Sequence, residues 1–174
     1  ALSFFDIREQ GYIDEERTAG KYRTPNGENQ FRGAELSFTH DINAKWSLFG
    51  GVMYVDAVRR KTQGGALDGL KVDGSSRWNG VLGVNYRADQ KTELFARMLS
   101  NGKTYDYNQT ITLPSYTTFD LGIRHKCRVG DTNMTIMAAC YNVTGRDYWM
   151  TRSGGNEILL GTPRTFMFST QFDL

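Results

Sequence analysis

No stretch of this chain approaches the roughly 18 uninterrupted apolar residues that a membrane-crossing helix needs, and the mean hydropathy is −0.51. A helical span is excluded. A β-barrel is not, because a barrel strand crosses with about 9–11 residues, half of which can be polar. Proline is scarce, with three among 174 residues, and cysteine and histidine number two each. Cys127, Cys140, His40 and His125 show no short ligand spacing, which excludes a zinc motif. The two histidines read as interfacial or packed side chains. If a turn centres on Gly130-Asp131, Cys127 faces Met134 and Cys140 lies roughly 20 Å further along. A disulfide does not reach that far, so both are expected as free thiols.

Charge of one sign is also lacking. The 21 basic and 19 acidic residues leave a net charge of +2 and are interspersed, which argues against a nucleic-acid partner. The run Arg59-Arg60-Lys61 reads as a solvated strand end rather than a phosphate site. Asp14-Glu15-Glu16 lacks calcium-loop spacing and reads as a solvated loop. There is no nucleophile elbow and no phosphate-binding glycine loop. Gly64-Gly65 and Gly154-Gly155 are ordinary turn chemistry. The chain is not expected to be an enzyme.

What is present favours twisted strands: 19 glycines and 13% aromatic residues. Eight strands are expected near residues 1–9, 31–41, 45–58, 77–88, 91–105, 116–128, 132–149 and 164–174. Alternation of period two marks several of them. Phe166, Phe168, Phe172 and Leu174 share one phase of the last, and Met167, Ser169, Gln171 and Asp173 the other. Tight connections at 41–44, 88–90 and 128–131 alternate with long ones near 10–30, 59–76, 106–115 and 150–163. Short and long connections therefore fall on opposite ends of the strands. Outer-membrane barrels segregate short periplasmic turns from long extracellular loops in this way, with an even strand count. Trp46, Trp78 and Tyr148-Trp149 sit near strand ends, as girdle aromatics do.

The segments R-G-A-E-L-S-F (Arg32 to Phe38), K-W-S-L-F-G-G-V-M-Y-V-D-A (Lys45 to Ala57), L-P-S-Y-T-T-F-D-L-G-I-R (Leu113 to Arg124), Y-N-V-T-G-R-D-Y-W (Tyr141 to Trp149) and L-G-T-P-R-T-F (Leu160 to Phe166) resemble TonB-dependent siderophore receptors. The resemblance runs over nearly the whole chain. It implies an all-β fold: residues 1–174 as an antiparallel transmembrane segment of about eight strands, the carboxyl-terminal part of a 22-stranded, plugged barrel. The plug domain and the earlier barrel strands are not in this sequence. The chain opens on A-L-S-F-F-D-I, which reads as a strand rather than a leader, so the expectation is that either processing removed one or the sequence starts inside a larger protein.

The resemblance further implies uptake of a ferric siderophore across the bacterial outer membrane. TonB supplies the energy through the missing amino-terminal region, the plug and membrane lipid are the other partners, and iron enters only as its chelate, with no cofactor. A bulky chelate is held by aromatic packing and by arginine or tyrosine hydrogen bonds. Residues of that kind gather on the long-loop side at Tyr105, Tyr107, Tyr116, Trp149 and Arg152. Arg87, Arg124 and Glu35 are expected to line the lumen and face the plug, and Arg164 to pair with a carboxylate near the rim. Two other readings stay open. One is a self-contained eight-stranded outer-membrane barrel with a structural or adhesive role. The other is a soluble lipocalin-type barrel with its apolar face inward.

Overall fold

The computed structural model describes residues 1–18, 20–151 and 157–173. Its strands are β1 (Leu2–Arg17), β2 (Gly20–Asp41), β3 (Trp46–Lys61), β4 (Trp78–Arg87), β5 (Thr92–Asn101), β6 (Thr104–Tyr105), β7 (Thr112–Leu113), β8 (Tyr116–Val129), β9 (Thr132–Tyr141), β10 (Trp149–Thr151), β11 (Ile158–Leu160) and β12 (Thr165–Asp173). Eight form one sheet in the order β1-β2-β3-β4-β5-β8-β9-β12, with every neighbour antiparallel. β6 with β7 and β10 with β11 make two small ribbons in the long loops. β1 and β12 stand at opposite edges, and closure is not seen among the described residues.

The short turns are written in side chains. Asn43 Oδ1 accepts from the Lys45 and Trp46 amides at 2.8 and 3.0 Å. Asp89 Oδ1 does the same for Lys91 and Thr92 at 2.7 and 2.8 Å. These are Asx turns, in which a short polar side chain replaces a backbone acceptor. In the third, Gly130 takes φ 60°, a conformation that costs other residues a steric penalty. Cys127 faces Met134 and Cys140 faces Leu121, and both thiols are free.

The strand ends differ from expectation in four places. Residues 10–30 are no loop: β1 and β2 continue as a hairpin to Arg17↔Gly20, with one irregularity between Gly11 and Ile13. Beyond the membrane both faces are solvated, so the ladder needs no apolar phase. It is held instead by cross-strand contacts such as Arg23 over Tyr12 (5.4 Å) and Lys21 with Glu16 (3.5 Å). β3 likewise runs on to Lys61. β5 stops at Asn101, and Thr104–Tyr105 pairs with Thr112–Leu113 instead. β9 stops at Tyr141 because Asn142 adopts φ 48°.

Register separates two faces. On one, Trp46, Leu48, Gly50, Val52 and Tyr54 of β3 face Tyr86, Val84, Leu82, Gly80 and Trp78 of β4. The same phase continues through Leu94, Ala96 and Met98 to Ile123, Leu121 and Phe119, then to Ala138, Cys140, Phe168 and Phe166. Most of the large apolar side chains of this phase are exposed, Phe168 by 78% and Phe4, in the same phase on β1, by 77%. The opposite phase carries Glu35, Asn79, Arg97, Thr118 and Asp120. Apolar-out and polar-in is the arrangement of a lipid-facing barrel, and it runs against the lipocalin-type reading. Trp46 packs at a tilt against Tyr86 (4.4 Å) at the short-turn end and Tyr54 against Trp78 (4.8 Å) at the long-loop end. Both pairs lie on the apolar face and bracket it as interfacial girdles. His40, across from Leu48, and His125, hydrogen-bonded to Thr92 at 3.0 Å, also lie in the apolar phase, near the short turns.

Candidate functional site

The long-loop end of the polar face is built around two buried ionic centres. Arg59 is 4% exposed. Its Nη2 donates to Asp73 at 2.8 Å, its Nη1 to the Tyr107 carbonyl at 2.7 Å, and its guanidinium lies 4.0 Å from the Tyr107 ring centroid. One cation thus ties β3 to the 62–77 loop and to the turn after β6. Arg59 is therefore not part of a solvated strand end: the alternation of β3 directs it to the polar face, where a carboxylate compensates its desolvation. Arg60 Nε donates to the buried Gln30 at 2.9 Å, and Lys61 Nζ makes an exposed contact with Glu28 at 3.0 Å. The turn itself is capped by Asp106, which accepts from the Ile111 amide at 2.7 Å and the Thr110 hydroxyl at 2.8 Å. The Ile111 amide holds the Asp106 carboxyl below its ordinary value.

The second centre is Asp120, 3% exposed. One carboxylate oxygen accepts from Arg97 Nε and Nη2 at 3.0 and 2.7 Å, and the other accepts from the Asn142 amide at 2.9 Å. Asn142 in turn holds both ends of the last long loop. Its Nδ2 donates to the carbonyls of Arg146 and Thr162 at 2.9 and 3.1 Å, and its Oδ1 accepts from the Arg146 amide at 2.9 Å.

That clamp delivers Tyr148 to Tyr116. The two rings stack at 4.0 Å with planes 21° apart. Asn101 donates to the Tyr116 hydroxyl at 2.9 Å, and Tyr148 OH accepts from the Thr162 amide at 3.2 Å. The pair walls an open hollow of about 390 Å³ with Glu35, Met53, Asn79, Asn101 and Thr118. A second hollow of about 390 Å³ lies between Glu9, Asn29, Phe31, Asp73 and Thr151. There Asp73 Oδ2 and Thr151 Oγ1 are buried with no partner among the described residues.

The four described residues among the five expected contacts do not form one cluster. Tyr107 packs on Arg59 and Tyr116 on Tyr148. Tyr105 lines a hollow on the apolar side with Lys71, Arg77, Trp78 and Lys103. Trp149 pairs with Leu160 in the β10–β11 ribbon and is 46% exposed. Arg152 lies outside the described residues, as do Gly154-Gly155 and Leu174. Arg87 and Arg124 flank Glu93 in register on the polar face. Arg164 lies against Gly145, where an added Cβ would stand 2.8 Å from Nη2.

Arg59 was read from sequence as a solvated strand end, Asp73, Asp120 and Asn142 were not singled out as site residues, and Tyr148 was placed in the girdle. One signal was available for Asn142: N-V-T-G directly after a strand is turn chemistry, and Asn tolerates positive φ.

A family model for "TonB dependent receptor-like, beta-barrel" matches residues 1–143. The chain belongs to that family. Its members are receptors and transporters of the bacterial outer membrane rather than enzymes, and this segment is a piece of such a barrel. It is 28% identical to the ferrichrome receptor FcuA of Yersinia enterocolitica over 99% of this chain and 23% of that protein. It superimposes on BauA, the ferric preacinetobactin receptor of Acinetobacter baumannii, with a TM-score of 0.83 and 28% identity, covering 99% of this chain and 27% of BauA. The unliganded ferric citrate transporter FecA matches in fold, with a TM-score of 0.80 at 19% identity, over 99% of this chain and 28% of FecA. The chain spans about a quarter of the length of these relatives.

Proposed function

We propose that this segment serves in the uptake of a ferric siderophore, with the chelate bound at the long-loop end of the polar face. Movement inward is energised by TonB through a plug domain and further barrel strands that the rest of the protein supplies. Iron travels only as its chelate, and the protein needs no cofactor. Tyr107, Tyr116, Trp149 and Arg152 are the proposed contacts, joined by Tyr148, while Tyr105, expected with them, lines the hollow on the apolar side.

The observation that carries this reading is the Tyr116–Tyr148 stack at the wall of a hollow with Glu35, Asn79 and Asn101. Two rigid rings provide packing surface at low entropic cost, and the amides provide hydrogen bonds. The Asp73 and Thr151 oxygens of the neighbouring hollow, buried with no partner among the described residues, add acceptors for donor groups of the ligand.

The test uses the full-length receptor in cells lacking their own siderophores, fed radiolabelled ferric trihydroxamate, ferric tricatecholate or ferric citrate. One of the three is expected to be taken up in a TonB-dependent manner. Tyr116→Ala is expected to weaken its binding about 2- to 10-fold, the worth of an aromatic pair. Uptake of none of the three would count against the siderophore reading. Unchanged binding in Tyr116→Ala and Tyr148→Ala would move the site elsewhere.

A further inference from the structure

We propose that the outer surface where β3 and β4 leave the membrane holds the phosphate of an anionic outer-leaflet lipid. The Tyr54–Trp78 pair marks the upper edge of the apolar face. Directly beyond it, next to Trp78, lies a hollow of about 280 Å³ whose lining includes Asp56, Lys71, Arg77 and Lys103. Three cations there face one carboxylate, an excess of two positive charges. Lys71 pairs with Asp56, while Arg77 Nη2 stands 3.7 Å from it with its side chain 54% exposed. Lys103 is exposed and sits 6.0 Å from the Tyr105 ring centroid.

Position selects a lipid over a free anion. Trp78 is 54% exposed on the lipid face. Four residues down β4 a shallow apolar groove of about 330 Å³ opens between Leu82, Val84, Ala96, Met98, Phe119 and Leu121. A headgroup phosphate on the cations leaves its acyl chains over that groove. Basic residues at a membrane surface attract anionic headgroups by Coulomb forces that fall off within a Debye length.

The full-length receptor in detergent is titrated with a bisphosphorylated glycolipid, with the same glycolipid after phosphatase treatment, and with inorganic phosphate. Retained lipid is counted by native mass spectrometry. Wild type is expected to prefer the phosphorylated form, and K71Q/R77Q/K103Q to lose that preference by on the order of tenfold or more. K71R/R77K/K103R is expected to keep it. R77Q/K103Q leaves the Lys71–Asp56 pair intact and decides the matter if the triple variant does not fold, as judged by heat-dependent gel migration. Equal retention by wild type and R77Q/K103Q, or equal retention of both glycolipids, overturns the proposal. Displacement by inorganic phosphate at millimolar concentration shows a soluble-anion site instead and overturns it too.

Discussion

Phe49 lies flat over Gly83, so closely that a Cβ there would stand 2.1 Å from the ring. The same happens at Phe95 over Gly122 (2.2 Å) and Phe5 over Gly33 (2.6 Å to the ring, 2.1 Å to the Tyr54 carbonyl). All three are direct cross-strand pairs on the polar face. Glycine gives the ring a seat on the neighbouring strand, which covers backbone that a missing side chain would leave bare. Gly80, by contrast, has only the Gly51 carbonyl at 3.7 Å, an ordinary contact. Gly83→Ala is therefore expected to destabilise the full-length barrel by about 1–3 kcal/mol through overpacking, and Gly80→Ala by well under that. Urea unfolding of the detergent-folded receptor, followed by tryptophan fluorescence, checks both. Equal midpoints for the two variants would mean that Phe49 swings away freely. Alternation told which glycines share a phase with which aromatics. It did not tell which strand residue faces which, because register depends on turns whose lengths differ by single residues.

Among the elements, the last long loop hangs on one buried carboxylate. Asp120 compensates Arg97 and caps the Asn142 amide, and Asn142 closes the loop that brings Tyr148 to Tyr116. Asp120→Asn keeps the shape but removes the charge that Arg97 needs. Proteolysis within 142–164 on intact cells is expected to speed up, and ligand affinity to fall in parallel with Tyr148→Ala. Protection equal to wild type would show that Asn142 alone suffices. The β6–β7 turn carries a pH dependence. Asp106 has its carboxyl pKa lowered, first by the Ile111 amide. A depressed carboxyl stabilises the turn above its ordinary value of 3.8, and that stabilisation is lost as pH falls through the depressed folded value. Hydrogen exchange at the Ile111 amide should stay slow at neutral pH and accelerate only below about pH 4, beyond the intrinsic pH trend. Asp106→Asn should exchange faster at neutral pH as well.

These elements show where sequence was readable. Asn43 and Asp89 turns, and the alternation of β4, β8 and β12, are local signals, and the strands lie where they point. The β1–β2 hairpin was missed because outside the membrane the apolar phase disappears while the backbone ladder continues. Arg59 was misread because its partner Asp73 comes from another segment of the chain, and no local pattern marks a charge that a distant carboxylate will bury. Tyr148 was placed at the membrane edge because it adjoins Trp149; only the Asn142 clamp turns it toward Tyr116.

At the scale of the molecule, the two girdle pairs fix where lipid begins and ends. From Trp46 to Tyr54 the strand spans roughly 27 Å at the antiparallel rise, or about 20 Å of height at the ~40° tilt of barrel strands, close to the ~25 Å apolar band of an outer-membrane barrel. Leu82 stands midway on β4 between Trp78 and Tyr86, and Leu94 sits beside Tyr86 at the short-turn edge. The cost of a charge depends on depth. Leu82→Arg is expected to destabilise the full-length receptor by about 2–4 kcal/mol and Leu94→Arg by about 0–1 kcal/mol. Folding titrations into lipid vesicles measure both. An arginine on the polar phase in the adjacent layer, Val81→Arg, separates depth in lipid from general disruption of the strand. It meets the lumen rather than acyl chains, so it should cost less than Leu82→Arg. If Val81→Arg instead costs as much, the apolar phase of this sheet does not face lipid, and the assignment of the two faces fails with it.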